Sequence, residues 1–151
     1  MKEFKHVDDI LEFAIGQEQG AIDFYTELAK GARSAEMKEV FLEFAGEEMK
    51  HKNRLLRIRE EGVFTMPKQQ VADLKIADYV VAAEPKPGMT YEEALVIAMK
   101  REKAAFKLYM KLAERAPNDE LKSVFQALAM EESRHKLRFE LEYDEFVLRE
   151  N

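Results

Sequence analysis

Cysteine is missing from this 151-residue sequence. Its absence removes disulfides, thiolate-bound metals and iron–sulfur clusters from anything the chain builds by itself. Glycine and proline are sparse, at six and four, which speaks against a turn-rich sheet protein or a low-complexity chain. A run of about eighteen apolar residues, the least that crosses a bilayer, occurs nowhere. The opening Met1-Lys2-Glu3-Phe4-Lys5-His6-Val7-Asp8-Asp9 lacks the apolar core of a leader peptide. A membrane is therefore not expected as a partner, and the cytoplasm is the default location. Runs of Lys or Arg are also lacking, and the formal charge is −6, so nucleic acid is not expected either. What the chain does have is 46% apolar and 36% charged residues, the balance of long amphipathic helices in one domain spanning residues 1–151.

From about Val7 to Ala32, apolar residues return at helical spacing through Ile10, Leu11, Ala14, Ala21, Ile22, Tyr25 and Leu28. Asp8 and Asp9 stand at the positive end of that helix. Ser34 is suited to cap a second helix, striped by Met37, Phe41, Phe44, Ala45, Leu55 and Ile58 and stopped at Gly62. Residues 63–89 lose the stripe, with Pro67, Pro85, Pro87 and Gly88 as breakers and room for a short helical turn around Ala72 to Val81. So long a connection fits a compact domain if it travels the length of a bundle. Thr90-Tyr91-Glu92-Glu93 reads as a capping box for a third helix, through Ala94, Leu95, Ala98, Ala105, Tyr109 and Leu112. Asn118 then caps a fourth, striped by Leu121, Phe125, Leu128, Ala129, Phe139, Leu141 and Phe146. The acidic run Glu140, Glu142, Asp144 and Glu145 reads as its solvated face. The expected architecture is all-α: an antiparallel four-helix bundle of two tandem hairpins, about 7–62 and 90–149, with one long crossover at 63–89.

The two hairpins are copies. Glu47-Glu48-Met49-Lys50-His51 returns as Glu131-Glu132-Ser133-Arg134-His135, and 84 residues separate Glu48 from Glu132 and His51 from His135. The same offset pairs Leu11 with Leu95, Glu18 with Glu102, Tyr25 with Tyr109, and Phe41 with Phe125. Most paired positions are apolar, as a shared core requires. Glu18 and Glu102 are exceptions, since each lies on the apolar stripe of its helix. Each Glu-x-x-His pair places a carboxylate and an imidazole on one helical face. Four carboxylates and two imidazoles therefore converge on one bundle interior, where unneutralised carboxylates cannot be sustained. Two divalent ions would offset them, and this mixture of oxygen and imidazole suits iron or manganese and also accepts zinc. One Glu-x-x-His alone is weak, because charged surface helices often contain it. Two in register, each with a matched Glu one helix earlier, make a metal centre the favoured reading. His6 reads as a surface histidine, and Glu47 and Glu131, one residue off the core face, as solvent-facing or supporting groups.

These residues resemble those of the rubrerythrin-type branch of the ferritin-like di-iron carboxylate proteins, over nearly the whole chain. The resemblance implies that Glu48 and Glu132 bridge two metals, that Glu18 and Glu102 are terminal carboxylate ligands, and that His51 and His135 each bind one metal. Tyr25 and Tyr109 become the candidate catalytic side chains, as hydroxyl donors to ligating carboxylates; simple core packing is the competing reading. The sequence departs from rubrerythrin proper in two respects. It has no four-cysteine rubredoxin domain, and Ala105 stands where rubrerythrin has a further Glu.

The resemblance implies a non-haem di-iron oxidoreductase that reduces hydrogen peroxide or dioxygen, with electrons from a rubredoxin-type or other external carrier. The alternatives are a ferroxidase, or a metal carrier, sensor or structural bundle without catalysis. Val80, Val81 and Phe146 are read as exposed apolar residues and point to a homodimer.

Overall fold

The structure is a computed structural model that describes residues 4–81 and 88–150; the breakers Pro85 and Pro87 lie outside the described residues. Helix α1 spans Val7–Lys30 and α2 Ala35–Glu61; a short α3, Lys68–Asp73, and a 3-10 turn, Ile76–Asp78, follow; α4 spans Tyr91–Glu114 and α5 Asp119–Glu150. The 84-residue offset carries α1 onto α4 at both ends and the start of α2 onto the start of α5. No described helix is long and apolar enough to cross a membrane.

The helix ends follow from local chemistry. Ser34 Oγ accepts from the Met37 amide at 3.1 Å, and Asn118 Oδ1 accepts from the Leu121 amide at 2.9 Å, each satisfying an otherwise unpaired first-turn donor. Thr90 and Glu93 close a reciprocal capping box. Gly62 ends α2 with φ at 63°, a left-handed conformation that a Cβ disfavours.

Helix α1 packs along α2, and α4 along α5; α1 and α4 meet only sparsely. Side-chain pairs set the directions. Gln19 meets Lys52, Tyr25 meets Glu102, Glu47 meets His135, and Tyr91 meets Glu142. Every adjacent pair is therefore antiparallel, and α2 and α4 point the same way. The crossover must travel the bundle's length to join them. On its way Phe64, Val71, Leu74 and Tyr79 are buried against the core. Its helical turn begins at Lys68, earlier than the sequence reading of Ala72 to Val81, because Pro67 presets φ at −57° and starts a turn instead of only breaking one.

The core is two apolar plugs. One gathers Leu11, Leu55, Leu112 and Phe125 with the crossover; the other gathers Tyr25, Phe41, Phe44, Leu95 and Phe139. Each takes residues from both hairpins, as a two-fold repeat requires.

The structure corrects the sequence reading of α5 in two places. Glu142 is buried, not solvated. Arg33 donates to it through Nε at 3.1 Å and Nη2 at 3.0 Å, and the Tyr91 hydroxyl donates at 2.8 Å. This clasp ties the α1–α2 turn to the start of α4 and to α5. Leu141, assigned to the core stripe, is 55% exposed. Of the apolar residues read as exposed, Val80 is, but Val81 is half-buried and Phe146 lies edge-on to Tyr91 with ring centroids 5.2 Å apart.

If the clasp acts as a unit, Glu142→Ala and Arg33→Ala each lower the melting temperature, and the double variant loses less than the sum. Thermal melts of the three proteins check this.

Candidate metal centre

Between the two plugs lies a polar layer. Helix α1 supplies Glu18, α2 supplies Glu48 and His51, α4 supplies Glu102, and α5 supplies Glu132 and His135. All six are buried, none with more than 3% of its surface exposed. They arrive there because each replaces an apolar residue on an otherwise apolar stripe.

The six form two overlapping groups, Glu18, Glu48, His51 and Glu132, and Glu48, Glu102, Glu132 and His135. Within each, one donor atom per residue lies within 4.8 Å of the others. Glu48 and Glu132 belong to both. His51 Nδ1 is 2.9 Å from Glu132, 3.1 Å from Glu18 and 3.2 Å from Glu48. His135 Nδ1 is 3.2 Å from Glu102 and 3.6 Å from Glu48. The rings are nearly parallel, with centroids 6.4 Å apart.

The outer nitrogen of each imidazole is already engaged. His51 Nε2 donates to Glu131 at 2.7 Å, and His135 Nε2 donates to Glu47 at 2.6 Å. A carboxylate at Nε2 fixes a proton there and aims Nδ1 inward, toward the six-residue layer. The sequence reading left Glu47 and Glu131 between solvent and a supporting role. The structure puts each against the histidine of the opposite hairpin, and their duplication one residue before each inner Glu was the signal.

The tyrosines cross between hairpins as well. Tyr25 on α1 donates to Glu102 Oε1 on α4 at 2.5 Å, while Tyr109 on α4 lies against Glu18 on α1. Burial, reinforced by the surrounding carboxylates, raises both phenols well above their ordinary pKa, so both keep their protons.

Donor atoms in this layer outnumber their partners. Among the described residues, nine buried side-chain polar atoms make no hydrogen bond, and eight belong to these six side chains: both oxygens of Glu48 and of Glu132, one oxygen each of Glu18 and Glu102, and both Nδ1 atoms. Folded proteins rarely leave buried polar atoms unpaired, and such a concentration calls for a missing partner. The atoms converge on shared points, which is how a dinuclear centre's donors are disposed. The residues fit a pair of divalent metal ions.

A cavity of about 20 Å³ adjoins the layer, room for one water-sized molecule. Ala105, Tyr79 and Arg101 are among its walls. Arg101, which the sequence reading passed over, lies over the Phe24 ring at 5.3 Å, and its Nε is the ninth unpaired atom. A Cβ at Gly20 would stand 3.2 Å from its guanidinium, so the glycine gives the arginine its room.

The halves of the centre are not identical. His135 is stacked on Phe44 at 3.9 Å, and Arg134 donates to the Glu47 that supports it, at 2.6 Å. The equivalents of Phe44 and Arg134 across the repeat are Leu128 and Lys50. Glu131 has no cation of its own among the described residues, apart from His51.

The chain matches the family model for rubrerythrin over residues 9–143. Among solved structures, it is similar to a Thermotoga maritima protein named as a ferritin-like diiron-carboxylate protein. The two share 25% identity with a TM-score of 0.77, over 96% of this chain and 99% of the other. No curated protein matches the sequence.

Without metal, the layer holds extra protons. Burial and then the Glu48 carboxylate push Glu102 up to about 7, and burial raises Glu18 and Glu132 in the same direction. Burial alone would lower the histidines, but the carboxylates around them outweigh it, and both are raised. Protons bound more tightly in the folded form stabilise it below the ordinary pKa, and that contribution disappears as pH rises through the folded value. The metal-free protein should therefore melt several degrees lower at pH 8 than at pH 6, and added divalent metal should raise the pH 8 value more. Melts in chelator and in metal at both pH values test this.

Proposed function

The chain belongs to the rubrerythrin family, and from that membership we propose that it is a non-haem di-iron oxidoreductase reducing hydrogen peroxide or dioxygen. The observation that carries the proposal is the set of eight unpaired donor atoms converging from all four long helices. Glu48 and Glu132, common to both groups, would bridge the two metals. Glu18 with His51 would complete one coordination sphere, and Glu102 with His135 the other. Iron is the first choice for these donors, with manganese or zinc also accommodated. When bound as a ferrous pair, the metal supplies two electrons to an O–O bond and sets +4 against four carboxylates.

The chain's own side chains do the rest. Tyr25 and Tyr109, as protonated phenols, hold Glu102 and Glu18 in place and keep a proton beside each carboxylate. Glu47 and Glu131 hold the imidazoles with Nδ1 inward. The apolar plugs exclude bulk water, and the small cavity opens at the layer's edge, where an oxidant would approach the metals. The 151 residues contain no cysteine, so the electrons must come from a carrier beyond them, such as a rubredoxin-type protein.

One observation favours a second reading, metal binding without turnover. Ala105 presents only a methyl group to the cavity, so no fifth carboxylate approaches the layer from that position. In this reading the ions hold the two hairpins together.

Stopped-flow mixing of the ferrous protein with hydrogen peroxide separates the readings. A peroxidase oxidises rapidly; rapid reaction with dioxygen alone identifies an oxidase or ferroxidase; inertness to both leaves the metal-binding role. Glu48→Ala and Glu132→Ala should each lower the metal content below two per chain by elemental analysis. Glu47→Gln and Glu131→Gln should retain the fold and weaken metal binding about 10–100-fold in competition with a chelator.

A further inference from the structure

A pair of metal ions would satisfy eight of the nine unpaired buried atoms among the described residues. The ninth is of the opposite kind. Arg101 Nε is a donor on a cation, which no metal ion can satisfy, and Arg101 makes neither a hydrogen bond nor an ion pair among the described residues. Asp23, on the neighbouring α1, accepts from Gln19 at 2.9 Å instead. What this guanidinium lacks is an acceptor that carries negative charge.

The side chain is nevertheless held in place. Its guanidinium lies over the Phe24 ring, 5.3 Å from the centroid, where the ring face attracts a cation. Gly20 leaves space for Nη1, since a Cβ there would stand 3.2 Å from it. The internal repeat supplies a control. Across the 84-residue offset, Arg101, Phe24 and Gly20 answer to Gln17, Leu108 and Ala104. Every part of the cradle is confined to one half, so the architecture of the hairpins does not require it.

The cradle forms one wall of a pocket of about 510 Å³ between α1 and the start of α4, within the range of about 300–1,000 Å³ common for small-molecule sites. Leu28, Met89, Tyr91 and Ala94 give it further, largely apolar walls. Asp23 and Glu27 also line it from exposed positions, where a second negative group on a ligand would meet like charge. Among the described residues, Arg101 alone is shared with the small cavity beside the metal layer. We propose that this pocket binds a small monocarboxylate with an apolar body. Arg101 holds the carboxylate, whose two oxygens match the guanidinium fork, and Leu28, Met89 and Ala94 cover the body. The site goes beyond the di-metal reading and stands whether or not the buried layer holds metal.

Isothermal titration calorimetry of the metal-loaded protein with phenylacetate, neutral phenylacetamide and acetate tests the proposal. Phenylacetate is expected to bind with a Kd below about 1 mM, and about tenfold or more tighter than either of the others. Arg101→Gln should weaken phenylacetate by about tenfold, leave phenylacetamide where it was, and keep the helix content unchanged by circular dichroism. Gly20→Ala, which pushes the guanidinium out of its cradle, should weaken phenylacetate with the arginine still present. Absence of phenylacetate binding, or binding indifferent to both substitutions, would overturn the proposal. So would acetate binding as tightly as phenylacetate, which would assign the carboxylate to the metals of the layer instead of the pocket.

Discussion

Four carboxylates share one layer in the middle of this bundle, and that layer constrains everything around it. An ionised carboxylate removed from water costs several kcal/mol even after relaxation, against a whole-domain stability of about 5–15 kcal/mol. The chain cannot leave four uncompensated. It surrounds Glu18, Glu48, Glu102 and Glu132 with two imidazoles and two phenols, and in the metal-free state it holds protons on groups that would otherwise lose them. The apolar plugs above and below make this compensation necessary and also make it specific. They bracket the layer so that bulk solvent does not serve as the partner the donors lack.

The same layer explains the connectivity. A site drawing on all four long helices needs the two hairpins face to face, with α2 and α4 running the same way. Only a crossover as long as the bundle can join them in one chain. Because α1 and α4 touch sparsely, the crossover also covers their seam, and Tyr79 reaches from it to the cavity beside the layer. The cavity beside the site is therefore walled in part by a connecting segment.

Much of this was legible in the sequence because the chain states it twice. The 84-residue offset locates both hairpins, their caps and all six polar residues of the layer, since a polar residue that interrupts an apolar stripe at the same place in two copies is hard to assign to solvent. What was not legible depends on contacts between distant segments. Glu142 sits among acidic neighbours at a helix end, and its partner Arg33 is 109 residues away, so no local pattern marks it as buried. Leu141 has helical spacing from core residues but turns outward, because periodicity does not say which of two apolar faces meets the core. Each tyrosine shares a helix and a face with one Glu of the layer yet serves the Glu of the opposite hairpin, a crossing that only the packing of α1 against α4 determines.

Duplication also shows where the halves were made different. Across the offset, Phe44 answers to Leu128 and Arg134 to Lys50. Both substitutions act on one histidine. Phe44 lies flat on the His135 ring, and Arg134 pairs with the Glu47 that accepts its hydrogen bond. His51 has neither, and its Glu131 faces solvent more openly. A carboxylate paired with a guanidinium supports its imidazole differently from one that faces solvent, so the two histidines are held by unequal partners. The two positions for metal are thus chemically inequivalent although their ligands are the same residue types. The asymmetry lies outside the ligands, where the repeat is free to vary without changing the charge of the layer.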